Sequence, residues 1–164
     1  METTKQKTNT GNYKTVSIQR KFDLPIDKVW SAWTTEDGLK KWWGPKAYSC
    51  PVCHVDFKVG GKYLASMMHK DKGDVLWSTG VYKEIIPQKK IVMTDSFSDS
   101  NGNVISAFDA GMPGVWPQEL IITVELKEDH GKTYMTLTQE PMPAEMYDDC
   151  IKGWNECLDK LEEI

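Results

Sequence analysis

The chain has 164 residues, 40% of them hydrophobic and 27% charged, an ordinary globular composition in which one domain can bury roughly 70% of its unfolded surface. Its net charge of −4 is concentrated at one end: residues 145–164 hold seven acids against two lysines, a balance of −5 that leaves the rest at +1. With no basic stripe a nucleic-acid partner is excluded, and with no apolar run longer than Leu120-Ile121-Ile122 so is a membrane-spanning helix.

Residues 1–12 are polar and carry no apolar core. They are expected to form a disordered tail rather than a signal peptide, ahead of one domain over 13–164. The chain reads as cytoplasmic, where its four cysteines stay reduced. Tyr13 to Phe22 alternates, with Val16, Ile18 and Phe22 on one face, and predicts a half-buried strand. Arg20 falls on that apolar face. It is either an arginine snorkelling from the end of a sheet or a guanidinium paired with a carboxylate inside a cavity, Asp56, Glu84 and Asp95 being the strand carboxylates on offer.

Pro25 suits a first helical turn, and Ile26, Val29, Trp30 and Trp33 recur at three and four. Thr34 or Thr35 can cap a second short helix with Leu39, Trp42 and Trp43 on its apolar side, ended by Gly44-Pro45. Strands are expected over 48–58, 62–69, 76–86, 91–97, 119–126 and 133–139, with turns at Gly60-Gly61, Asp71-Lys72-Gly73, Asn101-Gly102 and His130-Gly131. Residues 103–117 have no clean period and read as a long loop. From Pro143 to Ile164, Met146, Tyr147, Cys150, Ile151, Trp154, Cys157, Leu158 and Leu161 form one apolar stripe. Taken as a single helix, this segment is roughly 33 Å long. A helix with such a stripe must bury it, and the available partner is a sheet.

The order β-α-α-β-β-β-β-β-β-α resembles the helix-grip fold, an α+β architecture in which a curved antiparallel sheet wraps a long C-terminal helix. Val29-Trp30-x-x-Trp33-Thr34 and Leu39-x-x-Trp42-Trp43-Gly44-Pro45 narrow the resemblance. So do Cys53-x-x-Asp56-x-x-x-Gly60-Gly61, Gly80-Val81-x-x-Glu84-Ile85-x-Pro87, Met112-Pro113 and Gly153-Trp154-x-x-x-Leu158-x-x-Leu161. Together these are similar to bacterial proteins related to the C-terminal domain of the activator of heat-shock protein 90 ATPase, in the START-like (SRPBCC) superfamily. The resemblance covers residues 13–164. It implies a cavity between sheet and helix that binds apolar small molecules; some relatives carry out cyclase or hydrolase chemistry there. The separate N-terminal domain by which the eukaryotic activator also engages its chaperone has no counterpart in this sequence.

Three site readings follow. Cys50-Pro51-Val52-Cys53-His54 has zinc or redox spacing, with Cys150 and Cys157 as further thiols. In a continuous strand, however, residues 50 and 53 would face opposite sides, and Cys150 and Cys157 fit the helix stripe as small hydrophobes. No metal site and no cofactor are expected. His69 shares a face with Tyr63, Ala65 and Met67, and is either a cavity residue or a hydrogen-bonded structural one. Trp43, Trp77, Trp116 and Trp154, with Met67, Met93, Phe97, Met112, Met146 and Cys150, are expected to border a pocket, joined by Arg20 and His69. Trp116 and Met112 are placed over its mouth.

No nucleophile-elbow or phosphate-loop spacing is present. The expected function is therefore non-enzymatic binding of an apolar small molecule, as a carrier or sensor without turnover. The alternative is a protein-interaction module with a chaperone-like partner, marked by an exposed apolar patch on the outer sheet face or short helices. A cyclase- or hydrolase-like enzyme comes third. Monomer and homodimer both stay open.

Overall fold

The computed structural model describes residues 12–164. The expected tail lies outside them except for Asn12, whose carbonyl accepts the Ala144 N–H at 2.8 Å. The chain opens with β1 (Tyr13–Phe22), α1 (Ile26–Thr34) and α2 (Glu36–Trp42). Then come β2 (Tyr48–Ser49), β3 (Cys53–Val55), β4 (Lys62–His69), β5 (Val75–Ile86), β6 (Lys90–Ser98), β7 (Leu120–Asp129) and β8 (Lys132–Pro143). A 3-10 turn over Ala144–Met146 leads into α3 (Tyr147–Leu161).

The strands form one sheet in the order β1-β8-β7-β6-β5-β4-β2, with β3 also on β4, and every pairing is antiparallel. The sheet curls around α3, which is the expected helix-grip architecture. Two expectations change in detail. The segment 48–58 holds two short strands instead of one, because Pro51 has no N–H to give the ladder and the Val52 N–H turns to Ser66 Oγ at 3.0 Å. The final helix is 15 residues, roughly 22 Å, because the 3-10 turn takes up Ala144–Met146.

The two short helices form where capping and period place them. Thr35 Oγ1 accepts the Gly38 N–H at 3.0 Å and so starts α2. Val29, Ala32, Trp33, Leu39 and Trp42 are buried. Trp33 packs on Trp42 with centroids 4.6 Å apart and stacks on Trp154 at 6.2 Å; Trp43 meets Trp154 edge-on at 5.9 Å. This indole cluster welds the helical pair to α3, each contact adding about 0.5–1.5 kcal/mol beyond its buried area.

The stripe on α3 is used unevenly. Trp154, Cys157, Leu158 and Leu161 are buried, whereas Met146, Tyr147, Cys150 and Ile151 are half-buried. The C-terminal half is gripped by the core and tied to β1 by Arg20. The N-terminal half borders a cavity.

Candidate functional site

The cavity has a volume of about 270 Å³, just under the roughly 300–1,000 Å³ usual for small-molecule pockets. The sheet contributes Met67, Leu76, Ser78, Phe97 and Leu120, and α3 contributes Met146, Cys150, Gly153 and Trp154. Trp43, Gly44 and Pro45 close one side, and Met112, Trp116 and Pro117 reach in from the loop between β6 and β7. Trp116 is held there by Phe97, edge-on at 5.1 Å, and by donating its indole N–H to Pro113 O at 2.7 Å.

One carboxyl sits in these apolar walls. Asp95, on β6, accepts from Tyr63 Oη at 2.8 Å on Oδ1 and from Gln139 Nε2 at 2.9 Å on Oδ2. Gln139 Oε1 accepts in turn from Trp154 Nε1 at 2.8 Å and from the Cys150 thiol at 3.3 Å. An indole N–H can only donate, so Gln139 must turn its oxygen to Trp154 and its amide hydrogens to Asp95. The network thus runs across the sheet from β4 through β6 to β8 and up onto α3.

Gly80 makes the span possible. It pairs with Tyr63, and a side chain there would begin 2.5 Å from Tyr63 Cε2 and 1.9 Å from Thr94 O. Only a bare glycine lets the Tyr63 ring cross β5 to reach β6. Burial pushes Asp95 up to about 6, against the partial relief of its hydrogen bonds to Tyr63 and Gln139. Burial, then the neighbouring Asp95, also raises the Tyr63 phenol well above its usual value. No Lys, Arg or His lines the cavity among the described residues; its second carboxylate, Asp149, is exposed on α3.

The profile of the family described as "Activator of Hsp90 ATPase homolog 1-like protein" matches residues 23–164. The chain belongs to that family. A crystal structure of a protein from Chromobacterium violaceum is similar at 27% identity, covering 91% of this chain and 94% of its own, with a TM-score of 0.75. A solution structure from Staphylococcus epidermidis is similar at 25% identity, covering 93% and 89%, with a TM-score of 0.69. The AHSA1 protein of Silicibacter pomeroyi shares the fold at 18% identity, covering 92% and 96%, with a TM-score of 0.71. No curated protein shows significant sequence similarity to the chain.

In this member of the activator-like family, Trp43, Met67, Phe97, Met112, Trp116, Met146, Cys150 and Trp154 all line the cavity. Four other nominees do not. Arg20 lies on the inner face of β1 but reaches the far end of α3, donating to Asp159 at 2.9 Å, Glu162 at 3.0 Å and Asn155 O at 3.1 Å. Asp56, Glu84 and Asp95 are therefore not its partners. The His69 imidazole turns into the β4–β5 connection, where Nδ1 accepts the Asp71 and Lys72 N–H groups, both at 3.2 Å. Trp77 alternates with the cavity residues Leu76 and Ser78, so it lies on the convex face. Met93 is buried in the closed end of the core beside Trp33, Trp43, Tyr63 and Tyr82.

The thiols also need a correction. Because Pro51 separates β2 from β3, Cys50 and Cys53 do not sit on one continuous strand: the Cys50 thiol donates to Val52 O at 3.4 Å, and the two buried thiols lie close enough to perturb each other. That proximity lowers Cys50 and, with burial, raises Cys53. All four cysteines are free thiols, and among the described residues no three His, Cys, Asp or Glu side chains converge as a metal site. The network residues Asp95, Gln139 and Tyr63 were missing from the expected site. Asp95 had a signal, as a carboxylate two residues from Met93 and Phe97 on the apolar face of a strand.

Proposed function

We propose that this activator-like domain binds an apolar small molecule in the cavity between α3 and the concave sheet, as a carrier or sensor. The observation that carries the reading is the half-buried N-terminal stretch of the α3 stripe. Met146 and Cys150 are only half-buried and border the cavity, whereas Leu158 and Leu161, two turns further along the same stripe, are fully packed. Apolar surface left bare inside a fold is stabilised by a ligand that covers it. Trp116 and Met112 lie over the mouth and exclude water once the site is filled. No helix among the described residues is long and apolar enough to cross a membrane. The free thiols suit a cytoplasmic location.

The family's description suggests a second reading, a chaperone-linked interaction module. That reading calls for an exposed apolar patch on the outer sheet face or the short helices. Among the described residues the exposed large apolar side chains are Val75 and Ile86 at the two ends of β5, Tyr134 on β8, and Val59, Val104, Phe108 and Val115 outside the strands, with none on α1 or α2. Phe108, 86% exposed, and Val115, 60% exposed, turn away from the cavity on the loop that covers it.

The test is a thermal-shift screen of sterols, flavonoids, polyaromatics, fatty acids and apolar amines on the wild type and on Trp116→Ala. A ligand that prefers the folded state raises the melting temperature in proportion to RT ln(1 + [L]/Kd). Shifts in the wild type that weaken in the variant are expected. A panel without any shift would overturn cavity binding and leave the protein-partner reading.

A further inference from the structure

We propose that the cavity's ligand is an apolar amine whose protonated nitrogen donates to the Asp95 carboxylate. This rests on the cavity-binding reading and names the chemistry the ligand must carry.

The direction of the hydrogen bonds decides what Asp95 offers. Trp154 fixes the orientation of Gln139, Gln139 therefore donates to Oδ2, and the ionised Asp95 is left with lone pairs and no proton. Protonation does not reverse this. Tyr63 Oη lies 2.8 Å from Oδ1 and also 3.3 Å from Thr94 O. A protonated Oδ1 can donate to Tyr63 Oη while the phenol donates onward to Thr94 O, so the carboxyl again shows the cavity an acceptor. In both states the complementary ligand group is a donor.

Charge then separates amine from alcohol. The groups facing Asp95 are Tyr63 from β4 and Cys150 from α3, both neutral and both raised by burial, with Gln139 from β8 and Leu120 from β7. Leu76 and Ser78 from β5 carry no charge, and Asp149 at the margin adds a negative one. The carboxylate is thus enclosed with donors but without a cation. The fold already bears the cost of burying it, so an ammonium group entering the cavity bears only its own desolvation and gains a charge-assisted hydrogen bond. A carboxylic acid meets two like charges and is selected against. The buried indole N–H groups without a partner among the described residues, on Trp33 and Trp43, are not accessible from the cavity and offer an acid nothing. A volume of about 270 Å³ suits a one- or two-ring skeleton.

The test is isothermal titration of the full chain with three probes sharing one skeleton: naphthylmethylamine, naphthalenemethanol and naphthoic acid. Near about pH 7.5 the amine should bind about tenfold or more tighter than the alcohol, with the acid weakest, the margin of a charge-assisted over a neutral hydrogen bond. In Asp95→Asn the amine's advantage should vanish while the alcohol still binds. In the wild type, amine affinity should fall as pH drops through about 6, where Asp95 takes up its proton; this profile serves even where the variant fails to fold. Equal binding of amine and alcohol, a preference that survives Asp95→Asn, or an affinity flat across that pH range would overturn the inference and leave cavity binding standing. If none of the three probes binds, the amine assignment falls, and the wider screen alone decides whether the cavity takes any ligand.

Discussion

Asp95→Asn should make the protein more stable at neutral pH, although it alters a fully hydrogen-bonded buried residue. The folded-state value of about 6 stands against an ordinary 3.8. A gap of about two pH units corresponds to about 3 kcal/mol at about 1.4 kcal/mol per unit. The carboxyl borders a cavity that water can reach, so the realised effect is smaller, about 1–3 kcal/mol. Hydrogen bonding does not cancel it. In the variant the amide oxygen accepts from Gln139, its NH₂ donates to Tyr63 Oη, and Tyr63 donates to Thr94 O. The sign follows from which state holds the proton more tightly. Folded Asp95 keeps its proton to a higher pH than the unfolded chain does, so its ionisation opposes folding. The penalty is absent below about 3.8, grows towards about 6 and is complete above it. Urea unfolding of both proteins from about pH 4 to about pH 8 reads the difference directly, since other carboxylates cancel between them. The variant's advantage should rise with pH and level off. A variant less stable than wild type at neutral pH, or a difference that ignores pH, would refute the claim that Asp95 is an uncompensated buried charge.

Trp154→Ala should cost roughly 3–5 kcal/mol in denaturant unfolding, because it empties a large core site and strips Gln139 Oε1 of its 2.8 Å donor. A loss under about 1 kcal/mol would mean α3 is not gripped. Gly80→Ala should destabilise by roughly 3 kcal/mol or more, since the new Cβ begins 1.9 Å from Thr94 O and backbone cannot step aside cheaply; wild-type stability would show that Tyr63 does not cross at that point. Arg20→Ala should cost roughly 1 kcal/mol, less at high salt, because its carboxylate partners are solvent-exposed. It should leave cavity binding unchanged in the titration, and a change there would restore Arg20 to the site.

Much of this architecture was legible because periodicity reports burial. Val16, Ile18 and Phe22 alternate and are buried, and Trp154, Leu158 and Leu161 recur at helical spacing and pack. The same rule put Met67, Phe97, Cys150 and Trp154 on faces that border the cavity, since a cavity wall and a core wall carry the same apolar period, whereas Met112 and Trp116 came from a loop without one. It failed where a side chain's reach matters more than its Cα. Arg20 lies on the inner face as its parity requires, yet its length carries the guanidinium to Asp159 and Glu162. Trp77 alternates with Leu76 and Ser78, and that parity puts it outside. Cys50 and Cys53 were assigned opposite faces on the assumption of a continuous strand, which Pro51 does not allow. The Tyr63–Asp95–Gln139 network joins residues 32 and 44 positions apart. No local pattern announces such a pairing, because it depends on strand order and on the glycine at 80.

The network also explains why the site is better judged by its chemistry than by kinship. The family profile and the relatives at 25–27% identity support the sheet and the helix packed on it. A fold of this kind hosts different chemistries, so the wall residues must decide among them. A purely apolar occupant gains nothing from a charge at position 95. A structural role is also a poor account of the carboxyl, because Tyr63 and Gln139 would be satisfied as well by an asparagine, which carries no charge to bury. What an asparagine cannot supply is a negative charge held at the floor of an apolar cavity. An ionised group that opposes folding and is aimed into a cavity is a mark of recognition. The group it recognises is a cation.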